Sequence, residues 1–170
     1  EIYNYRELRE TLDYEFKTDS DTEVLAVGLA RKGPAFLEKL DGMFAIAFYD
    51  RDSRELLLAR DTNGAKPLYY GYLNGRLAFS SEIRSLLSLG FDRKVSKEGF
   101  RHYYHSGLVA GHLTMFEGIS KLVPGQVIRV DKDGSRTTYN LNAAPPDIGP
   151  IKPWKLGARL SQRLGQAVRM

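Results

Sequence analysis

No cysteine occurs anywhere in the 170 residues. That excludes disulfides, thiolate metal sites and a cysteine nucleophile within this stretch of chain. The absence fits a reducing compartment, so a cytoplasmic location is expected. No apolar run approaches the roughly 18 residues that a membrane-spanning helix requires. No basic-then-apolar leader opens the chain either. No membrane partner is therefore expected. Charge of one sign is not in large excess: 25 basic and 21 acidic residues are mixed along the sequence, for a formal net charge of +4. Nucleic acid is not an expected partner, because such binding needs a clustered basic stripe. Histidine is scarce, with only His102, His105 and His112. The first two are three apart on an expected helix, but His112 lies beyond Gly107 and Gly111, and the spacing fits no zinc pattern. No metal site is expected. Glycines 64, 71 and 75 form no phosphate loop, since no glycine-rich turn runs from a strand into a helix with Lys-Ser/Thr behind it.

Hydrophobic residues make up 42% and charged residues 27% of the chain, the balance of an ordinary globular protein. The informative stretch runs from Asp41 to Leu87. Gly42 to Tyr49 and Glu55 to Ala59 are short apolar runs separated by polar Arg51 to Arg54, which predicts two strands and a turn. Arg60-Asp61 opens a loop broken by Asn63, Gly64 and Pro67. Leu68 to Leu73 and Arg76 to Ser80 predict two more strands around Asn74-Gly75, a dipeptide that tolerates positive φ in a type I′ hairpin. Alternation is expected to put Tyr70 and Tyr72 on one face, away from Leu68, Gly71 and Leu73. From Ser80 or Ser81 the period turns helical, with Ile83, Leu86 and Leu87 on one face and Gly90 as the stop. The stretch is expected to form one antiparallel meander feeding a helix.

Either side of this stretch the signals are local. Tyr5, Leu8 and Leu12 suit a short amphipathic helix. Ser20 with Glu23 three residues later fits a capping box, opening a helix that stops at Gly33. Pro34 suits the first turn of another helix, ending near Leu40. Ser96 is placed to cap a helix carrying Phe100, Tyr103 and Tyr104 and ending at Gly107. Met115 to Val123 reads as a connection. Val127 to Val130 and Ser135 to Tyr139 predict a last strand pair. Residues 141–153 are proline-rich and predict a linker. Leu156, Leu160, Leu164 and Val168 then recur at helical spacing, over residues 154–170. The fold class is α+β, with antiparallel strands. The residues themselves present no catalytic constellation. Asp21 stands at a helix start, where a carboxylate commonly serves the helix dipole, and Glu1 is a terminal carboxylate without an evident partner.

Six motifs in register over about 140 residues resemble the glutaminase half of asparagine synthetase, a class II glutamine amidotransferase. Glu1-Ile2-Tyr3-Asn4 resembles the family's NGEIYN without its leading Asn-Gly. Ser20 to Val24 resembles SDTEV, and Leu40 to Ala45 resembles L-x-GMFA. Arg60-Asp61 with Gly64 and Lys66 to Tyr70 resembles RDxxGxKPLYY. Ser81-Glu82-Ile83 resembles an SEIK-type helix start. Phe116 to Gly125 resembles F-x-GI-x-KLPPG, with Val123 at the first proline.

The resemblance implies an N-terminal-nucleophile hydrolase-like four-layer sandwich, two antiparallel sheets between helical layers, incomplete here. Residues 1–140 would be a partial amidotransferase domain, and 154–170 the first helix of a synthetase domain, with truncation at both ends. In the family an N-terminal cysteine attacks the amide of glutamine with its own α-amino group as base. An Asn-Gly pair stabilises the oxyanion, and an upstream arginine holds the substrate carboxylate. The resulting ammonia passes to the synthetase domain, where ATP with Mg activates aspartate. Only the glutamine-binding positions matching Asp21 and Glu1 are implied in this chain, with no catalytic residue and no cofactor of its own. The implied partners are glutamine, the synthetase domain and, through a sheet edge left open, a second copy in a homodimer. A non-enzymatic amidotransferase-like scaffold is the alternative expectation.

Overall fold

The computed structural model describes residues 1–141 and 153–169. Its elements run α1 (Tyr5–Glu10), α2 (Asp21–Lys32), a 3₁₀ helix (Gly33–Lys39), β1 (Ala45–Asp50), β2 (Glu55–Arg60), β3 (Tyr69–Leu73), β4 (Arg76–Ser80), α3 (Ile83–Ser88), α4 (Lys97–Ser106), β5 (Ile119–Lys121), β6 (Gln126–Val130), β7 (Arg136–Asn140) and α5 (Pro153–Arg169). The strands form two antiparallel sheets, one in the order β1-β2-β6-β7 and one in the order β4-β3-β5.

The period-two alternation of β2 and β6 makes the first sheet two-faced. Leu57, Ala59 and Val127 pack with Val24, Leu29 and Phe36 on the side of α1, α2 and the 3₁₀ helix. Leu58 and Ile128 point the other way and meet Leu68 and Leu122 between the sheets. Beyond the second sheet, Phe91 and Ile119 pack with Leu86 of α3. Leu58, Leu86 and Leu122 are wholly buried, and each contributes about 1.5–3 kcal/mol by leaving water. Helix α4 packs less closely. Ser96 caps it through a bond from Gly99 N–H at 3.1 Å, and Phe100, Tyr103 and Tyr104 face outward.

Three local expectations need correction. The four strands from Ala45 to Ser80 are not one meander: β1-β2 and β3-β4 are hairpins in different sheets, and the loop from Asp61 to Leu68 carries the chain between them. The stretch from Met115 to Val123 is not merely a connection, for it contains β5, which pairs with β3. The capping box is half made. Ser20 Oγ accepts from Thr22 N–H at 3.1 Å, but Glu23 reaches past Ser20 to the N–H groups of Lys17 and Thr18, at 2.9 and 2.8 Å. The loop before α2 folds under the helix start and offers those donors first. Smaller differences follow from tertiary contact. The segment from Gly33 winds as a 3₁₀ helix, and α3 starts at Ile83. Leu68 packs in the same inter-sheet cluster as Tyr70 rather than opposite it.

The Asn74-Gly75 hairpin forms as its residue types dictate. Both have positive φ, 51° and 74°, and Leu73 pairs with Arg76 across a two-residue loop. Gly42 serves a close approach: a Cβ there would stand 2.2 Å from the Glu1 carbonyl, where Ile2 and Gly42 form an antiparallel bridge. The expected linker at 142–152 lies outside the described residues. Among the described residues no helix is long and apolar enough to cross a membrane.

These contacts set stabilities that urea unfolding can measure. Leu58→Ala should cost about 2–5 kcal/mol, as a large-to-small change in a sealed inter-sheet core. Ser20→Ala should cost about 1 kcal/mol through loss of the cap. Equal effects would contradict this account of the packing.

Candidate functional site

An open cleft of roughly 480 Å³ lies at the free edge of β1. Glu1, Ile2 and Asp21 line it together with Phe44 to Ala47, Lys66-Pro67 and Ser81. Backbone bonds hold Glu1 itself: its amino group donates to Met43 O at 2.8 Å, and Met43 N–H returns a bond to Glu1 O at 3.0 Å.

Asp21 and Glu1, twenty residues apart in sequence, line the same cleft. The first-turn position of α2 aims Asp21 at the N-terminal segment, and its Oδ2 accepts from Ile2 N–H at 2.9 Å. The carboxylate is thus not simply a helix-dipole residue. The Ile2 N–H bond holds its pKa below the usual aspartate value; partial burial pushes the other way, and the Glu1 amino group and Thr22 add to the lowering. Asp21 is consequently ionised at neutral pH. Two carboxylates in an open cleft suit a cationic group, such as the ammonium of an amino acid. Thr22 supplies a hydroxyl beside Asp21, and Lys66 is the only basic side chain among the lining residues. No histidine lines the cleft to activate a hydroxyl.

The three histidines do not converge. His102 and His105 lie on α4, where His105 meets the ring of Tyr104 at 5.7 Å, and His112 gives its carbonyl to Lys121 N–H. No group of three potential metal ligands is present among the described residues.

Sequence reasoning missed the part played by Asp61, which it treated as the start of a loop. Asp61 is 1% exposed, yet its carboxylate accepts from the N–H groups of Phe44, Asn63, Ala65 and Lys66. Burial raises its pKa, but the four donors outweigh this and hold it below the ordinary value. The signal available was the charged pair Arg60-Asp61 directly after a buried strand, an arrangement that demands partners.

A group with a depressed folded-state pKa stabilises the fold above its unfolded pKa and loses that contribution as pH falls through the folded value. Asp61 and Asp21 both belong to this class. Stability should therefore drop as pH falls below about 4, the ordinary aspartate value. Asp61→Asn, less stable at neutral pH, should show a shallower acid dependence of its urea midpoint; an unchanged slope would exclude Asp61 as a source.

Comparison with known proteins gives this geometry a family. The glutamine amidotransferase domain matches residues 1–140. Asparagine synthetase (glutamine-hydrolyzing) 1 of Bacillus subtilis is 37% identical over 151 residues, covering 85% of this chain and 24% of its own length. Asparagine synthetase B of Escherichia coli is 40% identical over 117 residues, covering 62% of this chain and 21% of its own. The chain thus spans less than a quarter of the length of these relatives. Among solved structures, the glutamine phosphoribosylpyrophosphate amidotransferase of B. subtilis superposes with a TM-score of 0.56 at 20% identity, over 84% of this chain and 28% of that one. At that identity the likeness establishes the fold alone. The match over residues 1–140, together with the relatedness to asparagine synthetases, establishes that the chain belongs to the glutamine amidotransferase domain family.

Proposed function

We propose that this chain is the glutamine-binding part of a glutamine-dependent asparagine synthetase. The observation that carries the reading is Asp21, ionised beside Glu1 in an open cleft and anchored to Ile2 N–H at 2.9 Å. Asp21 takes the α-amino group of glutamine as a charge-assisted pair, and Glu1 lines the same end of the substrate. The face-to-face sheets between helices support assignment to the four-layer N-terminal-nucleophile class. In the whole protein a cysteine attacks the side-chain amide, ammonia leaves, and water then releases glutamate from the acyl-enzyme. The ammonia amidates aspartate in a synthetase domain that uses ATP and Mg.

In this reading α5 opens that synthetase domain. Its Leu156, Leu160, Leu164 and Val168 form an exposed apolar stripe of the kind a further domain would cover. The free edge of β4 is consistent with association of two copies, since unpaired edges template pairing.

The 170 residues contain no cysteine, so the first chemical step has no nucleophile here. An ammonia-release assay should find glutamine turnover by this chain indistinguishable from buffer. A chain extended upstream to a Met-Cys-Gly start should turn glutamine over. In that chain Asp21→Ala should raise KM for glutamine about 10- to 100-fold, the loss of one charge-assisted hydrogen bond. Turnover by the present chain would overturn the mechanism, and an unchanged KM would remove Asp21 from the site.

A further inference from the structure

We propose that Asp61 is a positioning residue for the cleft, its buried carboxylate holding the walls at Phe44 and Lys66 at a fixed separation. The inference rests on the reading of that cleft as a glutamine site.

The two oxygens divide the work. Oδ1 accepts from Asn63 and Ala65 N–H, at 3.1 and 2.9 Å, and so shapes the turn itself. Oδ2 accepts from Phe44 N–H at 3.3 Å and Lys66 N–H at 3.1 Å, and both of those residues line the cleft. One oxygen therefore bridges two segments of the cleft lining, the start of β1 and the loop at Lys66. Arg60 completes the hold on residue 66, its Nε donating to Lys66 O at 2.6 Å.

Packing secures one wall and not the other. Phe44 is 6% exposed and seated in the helix-side core. Ala65, Lys66 and Pro67 are all exposed. Hydrogen bonding, and chiefly the bonds to Asp61 and Arg60, thus sets where the Lys66 wall stands. An asparagine cannot replace the aspartate, because its NH₂ would face two N–H donors and one of the two pairs would be lost. Asp61 does not line the cleft, so its influence on a ligand passes through Phe44 and Lys66.

The test is an L-glutamine titration of the ¹⁵N-labelled chain by NMR, with amide exchange read on the same samples. Asp61→Asn is compared with Leu86→Ala, a destabilised control within α3 buried against Phe91 and Ile119, at a temperature where circular dichroism shows both folded. Asp61→Asn should weaken glutamine binding about tenfold or more and speed exchange at Phe44 and Lys66 by a similar factor, whereas the control should leave both near wild type. If Asp61→Asn does not fold, Lys66→Pro read against Lys66→Ala removes one bridging N–H without altering the carboxylate; weaker glutamine binding and faster exchange at Phe44 are then expected, proline having no amide hydrogen at position 66. Faster exchange with unchanged binding would reduce Asp61 to a structural residue and overturn the proposal. Exchange at Phe44 and Lys66 equal to that of the control would overturn it whatever glutamine does. A wild-type chain that shows no glutamine shifts would sink the glutamine reading, and the exchange rates would still decide whether Asp61 holds the two walls.

Discussion

A buried pair of residues, Arg60 and Asp61, joins three parts of this molecule. Asp61 accepts four backbone N–H bonds, and its own N–H donates to Phe44 O at 3.0 Å. Its carbonyl accepts from Gly64 and from Gly125, the latter in the turn before β6. The neighbouring Arg60 donates to the carbonyls of Gly64, Lys66 and Leu122. The start of β1, the loop between the sheets and the turn into β6 thus meet at two consecutive side chains. Each partner lost would leave a buried polar group unsatisfied, at about 1–3 kcal/mol or more for a charged one. The pair is tolerated in the interior because the Asp61 carboxylate accepts four N–H bonds and each guanidinium nitrogen of Arg60 has a carbonyl partner.

The layered packing depends on this junction. β2 ends at Arg60 in the first sheet, and β3 begins at Tyr69 in the second. Between them the chain must leave one sheet and enter the other with its backbone polar groups satisfied, which the Arg60-Asp61 bonds accomplish. Once both sheets are in place, Leu58 and Ile128 of one meet Leu68 and Leu122 of the other. The same junction orients the cleft, because the loop that crosses between sheets also supplies Lys66 and Pro67 to its lining. Stability and site geometry are therefore coupled through one turn.

What could be seen in the residues was mostly what acts over a few positions. Asn74-Gly75 gave its hairpin because the φ requirement of the turn is local. The caps at Ser20 and Ser96 formed for the same reason. β5 escaped notice because three residues, Ile119 to Lys121, carry no readable period; β5 is a strand because β3 offers it an edge. Glu23 chose Lys17 and Thr18 over Ser20 because of how the preceding loop folds, which no spacing rule encodes. Asp21 was visible as a candidate only through motif resemblance, since alone it looks like any helix-start carboxylate.

The chain's residue order by itself determined the α+β class, the hairpin and helix termini, the family to which the motifs point, and the lack of a cysteine nucleophile. Each of these depends on residue type or on contacts within one turn or strand. Only the tertiary structure decided that the four central strands divide between two sheets, that Glu1 and Asp21 share a cleft, and that Asp61 ties that cleft to the core. Those outcomes turn on partners 17 and 19 residues away in the cases of Phe44–Asp61 and Ile2–Asp21. Which distant N–H a buried carboxylate meets is set by how the layers pack, and no local propensity carries that information.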